Sequence, residues 1–489
     1  MRASILCRQS VGTVRLADRR TARHPLARVS LLLLLLGGAG VVLKATLPED
    51  VAQYLAPALA AVAVFAVFAV ILQRRVGESV FGELGFLYVG LIVAYTVLPA
   101  FAFMGTTLAP LAALLPDPSE LSTHLWRQVL FECGVAGGYL LWRGRQTSQK
   151  RVIAESTQRD GRTLLFVAAV IALCWASEIL LSAPVYSYYD NYVRYDHLPW
   201  LLHKLVSLSV RLSLGLYCVL LVFLFRNYAK YKWIIPPVVL AICTYEMVHS
   251  FGARIQALIV LLQTVCLYHF CVKKIPLKWG LIACVGLAVL FSAVELVRVQ
   301  EFDVASARSA VAEEGLKPAT EFASVFLPGF HLYAERAQGA LPAREWPMFF
   351  HDFISLFTFG GFTRWNPMFW YWRNYYPEAD VPPFTLGPIA DSAMWGGELD
   401  LLLRSVINGV FFAFLMRWFL RHKDQWWGVT IYVYCYATCI LTLKYTVFLH
   451  LNLIEKNLIL TLLLVQAVRV VKFSRQRTTP RNVLQPSPP

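Results

Sequence analysis

The chain has 489 residues, 57% of them hydrophobic and 15% charged, and its mean hydropathy is +0.55. Those proportions exclude an ordinary soluble domain and point to a polytopic membrane protein. The net charge of +15 does not point to nucleic acid, because Lys and Arg fall in short clusters between apolar runs rather than along one basic face.

The first stretch, 1–28, carries Arg2, Arg8, Arg15, Arg19, Arg20, Arg23 and Arg28 ahead of VSLLLLLLGGAGVVL. No A-x-A cleavage pattern follows and further apolar runs come directly after, so this reads as a retained signal-anchor with a basic cytoplasmic tail. A membrane span needs about 20 mostly apolar residues. Runs that meet this lie near 29–46, 51–72, 81–104, 124–142, 163–183, 204–225, 233–250, 255–272, 278–297, 399–420, 426–448 and 457–472. The expected fold class is therefore an all-α polytopic membrane protein of about twelve transmembrane helices. Most of the ten cysteines sit inside these runs, with neither CxxC nor zinc-type spacing, so neither disulfides nor a metal site is expected.

Loop charge orients the bundle. QRRVGE, WRGRQTSQKRVIAESTQRDGR, FRNYAKYK, CVKKIPLK, FLRHKDQ and VKFSRQR are basic, whereas LPED, the PDPSE region and YSYYDNYVRYDHLPW are poorer in Lys and Arg. The positive-inside rule then puts both termini in the cytoplasm. The domain plan is a basic tail at 1–28, about nine spans over 29–297, a large outer loop at 298–398, about three spans over 399–472 and a disordered tail at 473–489. The outer loop, between the ninth and tenth spans, is rich in aromatics and Pro and contains EWPMFFHDFISLFTFGGF, which suits interfacial helices of a lid. Trp346, Trp365, Trp370, Tyr371 and Trp372 either stack on sugar faces or form a headgroup-level belt.

On this topology the ionisable residues collect at outer helix ends: Glu178, Glu246, His249, Arg254, Glu295, Arg298, Glu398, Asp400, Arg404, Lys444 and His450. Arg211 lies about two turns inside its run, and Glu132 is also buried in one. Charges in such places pair with one another or line a wet cavity. Glu295 with Arg298, and Glu246 with Arg254 across a tight turn, are candidate structural pairs; His249 and His450 are candidate caps. Taken together, Arg211, Arg254, Arg298, Arg404 and Lys444 form a cationic collar suited to a diphosphate whose lipid tail lies in the bilayer. No P-loop or dinucleotide fingerprint is present.

Two stretches carry a family resemblance. PPFTLGPIADSAMWGGELDLLLRSVINGVFFAFLMRWF places Asp391 before Trp395, Gly396 and Gly397, then a helix with Gly409 and a basic exit at Arg417 and Arg421. Earlier, Phe251-Gly252-Ala253-Arg254 starts an apolar run, a basic turn follows at Lys273 and Lys274, and the next run ends at Arg298. Over about 245–420 the chain resembles the Wzy-like O-antigen polymerases, the oligosaccharide repeat-unit polymerases of bacterial envelopes. It departs from the family at Asp391, where Glu is commoner, and at Met394-Trp395-Gly396, where the family has Asn before the aromatic.

The resemblance implies a multi-pass protein of the bacterial inner membrane that acts at its outer face. A glycan on a polyprenyl diphosphate is transferred to a new lipid-linked repeat unit, and the lipid diphosphate leaves. Leaving-group charge needs cationic donors, for which Arg254, Arg298 and Arg211 are the candidates. The acceptor hydroxyl needs a base, for which Asp391 is the first candidate, with Glu246, His331 and Glu398 behind it. The implied partners are the lipid-linked oligosaccharide, membrane lipid and a chain-length regulator; no cofactor, metal or nucleic acid is expected. Three alternatives remain open. An O-antigen ligase would use His331 or His351; a metal-dependent lipid-linked glycosyltransferase would want an acidic pair such as Glu49-Asp50 in a larger loop; and a flippase or transporter would line its bundle with charge through its full depth.

Overall fold

The computed structural model describes residues 49–76, 79–104, 118–144, 160–183, 195–249, 254–276, 319–351, 354, 365–378, 386–444, 451–452 and 454–477. Among these residues the chain is helical, without strands. The expected spans at 29–46 and 278–297, and most of the tail beyond 472, lie outside the described residues.

Among the described residues four helices are long and apolar enough to cross a membrane: Gln53–Val76, Gly161–Leu181, Trp200–Arg226 and Glu398–His422. Leu84–Ala100, Ile235–His249 and Ile255–Cys271 are apolar but shorter. This is the make-up of a helical membrane protein. The run expected over 426–448 forms helix only to Thr438, turns at 439–440, and resumes for one turn at Leu441–Lys444. There the Thr442 hydroxyl donates to the Cys439 carbonyl at 2.6 Å, a local side-chain bond that competes with a continuous helix.

The contacts divide the chain into two compact units. The first comprises α1 (Glu49–Val76), α2 (Leu84–Met104), α3 (Pro118–Arg143), α8 (Ala319–Ala337), α10 (Pro388–Met394) and the first part of α11 (Glu398–His422). The second comprises α4 (Asp160–Leu181), α5 (Trp200–Arg226), α6 (Ile235–His249), α7 (Arg254–Cys271) and α9 (Pro367–Tyr375). It also holds the end of α11, α12 (Trp426–Thr438), a π-helical segment Ile454–Ile459 and α13 (Leu460–Arg477).

In the first unit α3 and α11 cross at close range because small residues face each other there. A methyl group at Gly138 would overlap the Val406 carbonyl, and one at Gly409 would overlap the Val135 carbonyl. Gly134 and Gly138 are four residues apart on one helix face, the small-xxx-small spacing that lets helix backbones touch. This crossing sets the rotation of α11, and so the side on which Asp400, Arg404 and Asn408 emerge at intervals of four. In the second unit a methyl group at Gly215 of α5 would overlap the Asn457 carbonyl and the Thr461 hydroxyl, so α5 is seated directly on the π-helical segment.

Candidate functional site

In the first unit one group of charges surrounds the turn into α11. Helix α10 ends at Met394, and the Gly397 amide returns to the Ser392 carbonyl at 2.7 Å. Gly397 has φ +66°, a left-handed conformation that glycine adopts without strain, and this lets the chain reverse into α11 within three residues. The carbonyls left over at the end of α10 are taken by Arg336 of α8, whose Nη1 donates to Ala393 and Trp395, each at 3.0 Å. On the same helix, the Tyr333 hydroxyl meets Ser392 Oγ at 3.0 Å.

Asp391 is buried, 7% exposed, and its Oδ2 is engaged by Arg404 Nη1. Arg404 Nε donates in turn to Asp400 Oδ2 at 2.8 Å, so one guanidinium bridges two carboxylates. A planar fork is suited to this, and a point charge such as lysine is not. Close by in the same unit, Arg127 of α3 lies 4.0 Å above the Tyr333 ring and donates through Nε to Glu398 Oε1 at 3.1 Å. Glu398 is the most open member, so its pair with Arg127 contributes little to stability and remains within reach of a ligand.

His331 also lies on α8, half-buried, with Nε2 3.7 Å from Glu335 Oε1. Burial lowers its imidazole below the usual range, and the nearby Glu335 carboxylate opposes that shift. It is therefore a neutral imidazole at neutral pH, able to accept a proton.

The second unit holds a cluster of a different kind. Glu178 Oε2 accepts from the Tyr245 hydroxyl at 2.9 Å, and its Oε1 accepts from Ser209 at 3.4 Å. Glu246 Oε1 accepts from the Tyr217 hydroxyl at 2.8 Å, and Tyr217 itself accepts from Trp175 Nε1 at 2.5 Å. The Trp175 and Tyr245 rings stack at 4.3 Å, His249 stacks on Tyr245 at 5.0 Å, and His249 Nε2 lies 3.8 Å from Glu178.

The predicted site residues are distributed accordingly. Asp391 and His331 belong to the first unit; Glu246, Arg211 and Arg254 belong to the second. Glu246 is held by Tyr217, and the side chain of Arg254 lies outside the described residues, as do Arg298, Glu295 and His450. Arg211 is exposed on α5. Of the aromatic set, Trp370 and Tyr371 are turned into the packing, Trp365 donates to Glu345 at 2.8 Å, and Trp346 is 73% exposed. Of these five, Trp346 is the most open to a sugar face.

Sequence reasoning did not single out Arg127, Arg336, Tyr333 or Ser392. A weak signal exists in HLYAER, which places His331, Glu335 and Arg336 within about one and a half turns, but nothing local says that this helix caps α10. Comparison with family models, with curated proteins and with solved structures finds no match.

Proposed function

We propose that the protein polymerises polyprenyl-diphosphate-linked oligosaccharide repeat units into a cell-surface polysaccharide at the outer face of a bacterial inner membrane. The reading includes the topology of about twelve spans with both termini cytoplasmic. One observation carries it: Arg404 bridges Asp391 and Asp400 at the turn into α11, inside the stretch that resembles the Wzy-like polymerases.

In this reading the incoming diphosphate competes for the Arg404 guanidinium and releases Asp391 from it. Asp391 then takes the proton of the acceptor hydroxyl, and the acceptor oxygen bonds to the anomeric carbon. The bond from that carbon to the phosphate oxygen breaks with inversion, and the electron pair leaves on the diphosphate. Arg404 stabilises that charge, with Arg127 and Arg336 in the same cluster, an electrostatic contribution of several kcal/mol in such sites. Arg254, Arg298 and Arg211 remain proposed phosphate-binding residues, as the resemblance implies, and are given no place in this step.

A flippase for lipid-linked sugars is the second reading, and one observation favours it. Along α3 of the first unit, His124, Gln128, Glu132, Tyr139 and Arg143 fall on one face. Gln128 meets Thr96 at 3.2 Å, and Tyr139 and Arg143 both hold Glu83. Polar groups thus run the length of that helix instead of gathering at one end.

The test is Asp391→Asn, Arg404→Ala and Arg404→Lys in the native host, with membrane levels checked by immunoblot and surface polysaccharide run on a gel. The polymerase reading expects normal protein with the ladder collapsed to a single capped repeat, and poor rescue by Lys. Long polymer in Asp391→Asn would sink the assignment of the base. Loss of the single capped repeat as well would favour the flippase or a ligase.

A further inference from the structure

Arg211 stands near the middle of Trp200–Arg226, one of the four span-length apolar helices. A guanidinium in such a helix is costly and usually serves a ligand, a partner or a water-filled path. Among the described residues Arg211 makes no hydrogen bond or ion pair, and it is exposed. What it faces follows from the packing. Gly215, one turn further along α5, rests on Asn457 and Thr461, so the face that carries Arg211 meets the π-helical segment. Lys456 is the residue immediately before Asn457, half-buried and also without an ion pair among the described residues. The charges of Arg211 and Lys456 lie within electrostatic range of each other, and Glu455 is the carboxylate next to Lys456.

Two cations brought within electrostatic range, on backbones locked at a glycine contact, repel each other unless an anion lies between them. The π-helical segment is also informative, because such bulges concentrate at functional positions. We propose that Arg211 and Lys456 together form a binding site for a phosphoryl group. Arg211 supplies the planar fork and Lys456 the point charge, the usual division of labour on phosphate. The phosphoryl group is either lipid-borne, as a polyprenyl diphosphate, or free in solution. In the first case the inference rests on the polymerase reaction proposed above, in which Arg211 is a candidate for binding lipid diphosphate. The site itself does not depend on that reaction, and its test reads binding alone.

The full-length protein in detergent is titrated with farnesyl diphosphate by calorimetry. Wild type binds, and Arg211→Gln and Lys456→Gln each weaken binding about tenfold, the loss of roughly one charge-assisted contact. The double variant abolishes detectable binding. Lys230→Gln, which removes a cation outside the site, leaves affinity unchanged, and Arg211→Lys retains more affinity than Arg211→Gln. Competition by inorganic pyrophosphate identifies the site as one for free phosphate; absence of competition identifies it as one for a lipid-borne group. Failure of wild type to bind either probe, or equal affinity in wild type and in monodisperse Arg211→Gln and Lys456→Gln, overturns the proposal. Because polymer is not measured, a protein that binds normally but makes no polymer would leave this site intact while counting against the polymerase.

Discussion

The two units solve the same problem, a carboxylate among apolar helices, by different chemistry. In the first, guanidinium groups do most of the work: Arg143 grips Glu83 with two bonds of 2.7 Å, Arg404 bridges Asp391 and Asp400, and Arg127 meets Glu398. In the second, hydroxyl groups do it: Tyr245 and Ser209 on Glu178, and Tyr217 on Glu246. The difference has energetic consequences. A buried ion pair is stiff, and losing the arginine removes the compensating charge; losing a neutral hydroxyl donor removes one hydrogen bond and costs less.

The largest test of this contrast is Arg143→Met. Arg143 and Glu83 are both almost fully buried, so the substitution strands a carboxylate and costs about 3–5 kcal/mol. Thermal denaturation in detergent should show the loss, and Glu83→Leu with Arg143→Met should recover most of it. A double variant as unstable as the single one would mean that packing, and not charge, decides this position. Next is Tyr217→Phe in the second unit, which takes the hydroxyl donor from Glu246 and costs about 1–3 kcal/mol. A cost equal to that of Arg143→Met would erase the distinction between the two units.

The smallest effect concerns His331, whose imidazole is lowered by burial. The unfolded chain then takes up a proton first as pH falls through about 6.5, so stability contributed by the neutral ring is present above that pH and lost below it. Wild type should therefore lose more stability than His331→Gln between neutral and mildly acidic pH. Parallel pH profiles for the two proteins would show that Glu335 cancels the effect of burial.

Much of the helical framework was legible from hydropathy. Runs expected at 204–225 and 399–420 correspond to helices Trp200–Arg226 and Glu398–His422, because a long apolar run without Pro satisfies its backbone internally. The break after Thr438 was not legible, since hydropathy reports the preference for lipid and not backbone continuity. Arg143 misled for a related reason. It stands where an apolar run gives way to WRGRQTSQKR and reads as one more cytoplasmic cation, yet its side chain is buried on Glu83, 60 residues earlier. In the candidate site, Asp391 and Arg404 were each noticed, but not as partners, and Arg336 was not noticed at all.

By itself the sequence determined that this is a helical, membrane-type chain, and which ionisable residues sit in or beside its apolar runs. Composition and periodicity suffice for that, because each apolar helix satisfies its own backbone and reports its own length. Which charge meets which was decided only by the tertiary structure. Pairing between helices depends on their rotation and depth, and these are set by close contacts such as Gly138 on Val406 and Gly215 on Asn457. Such contacts join residues hundreds of positions apart, and no local pattern in the chain records them.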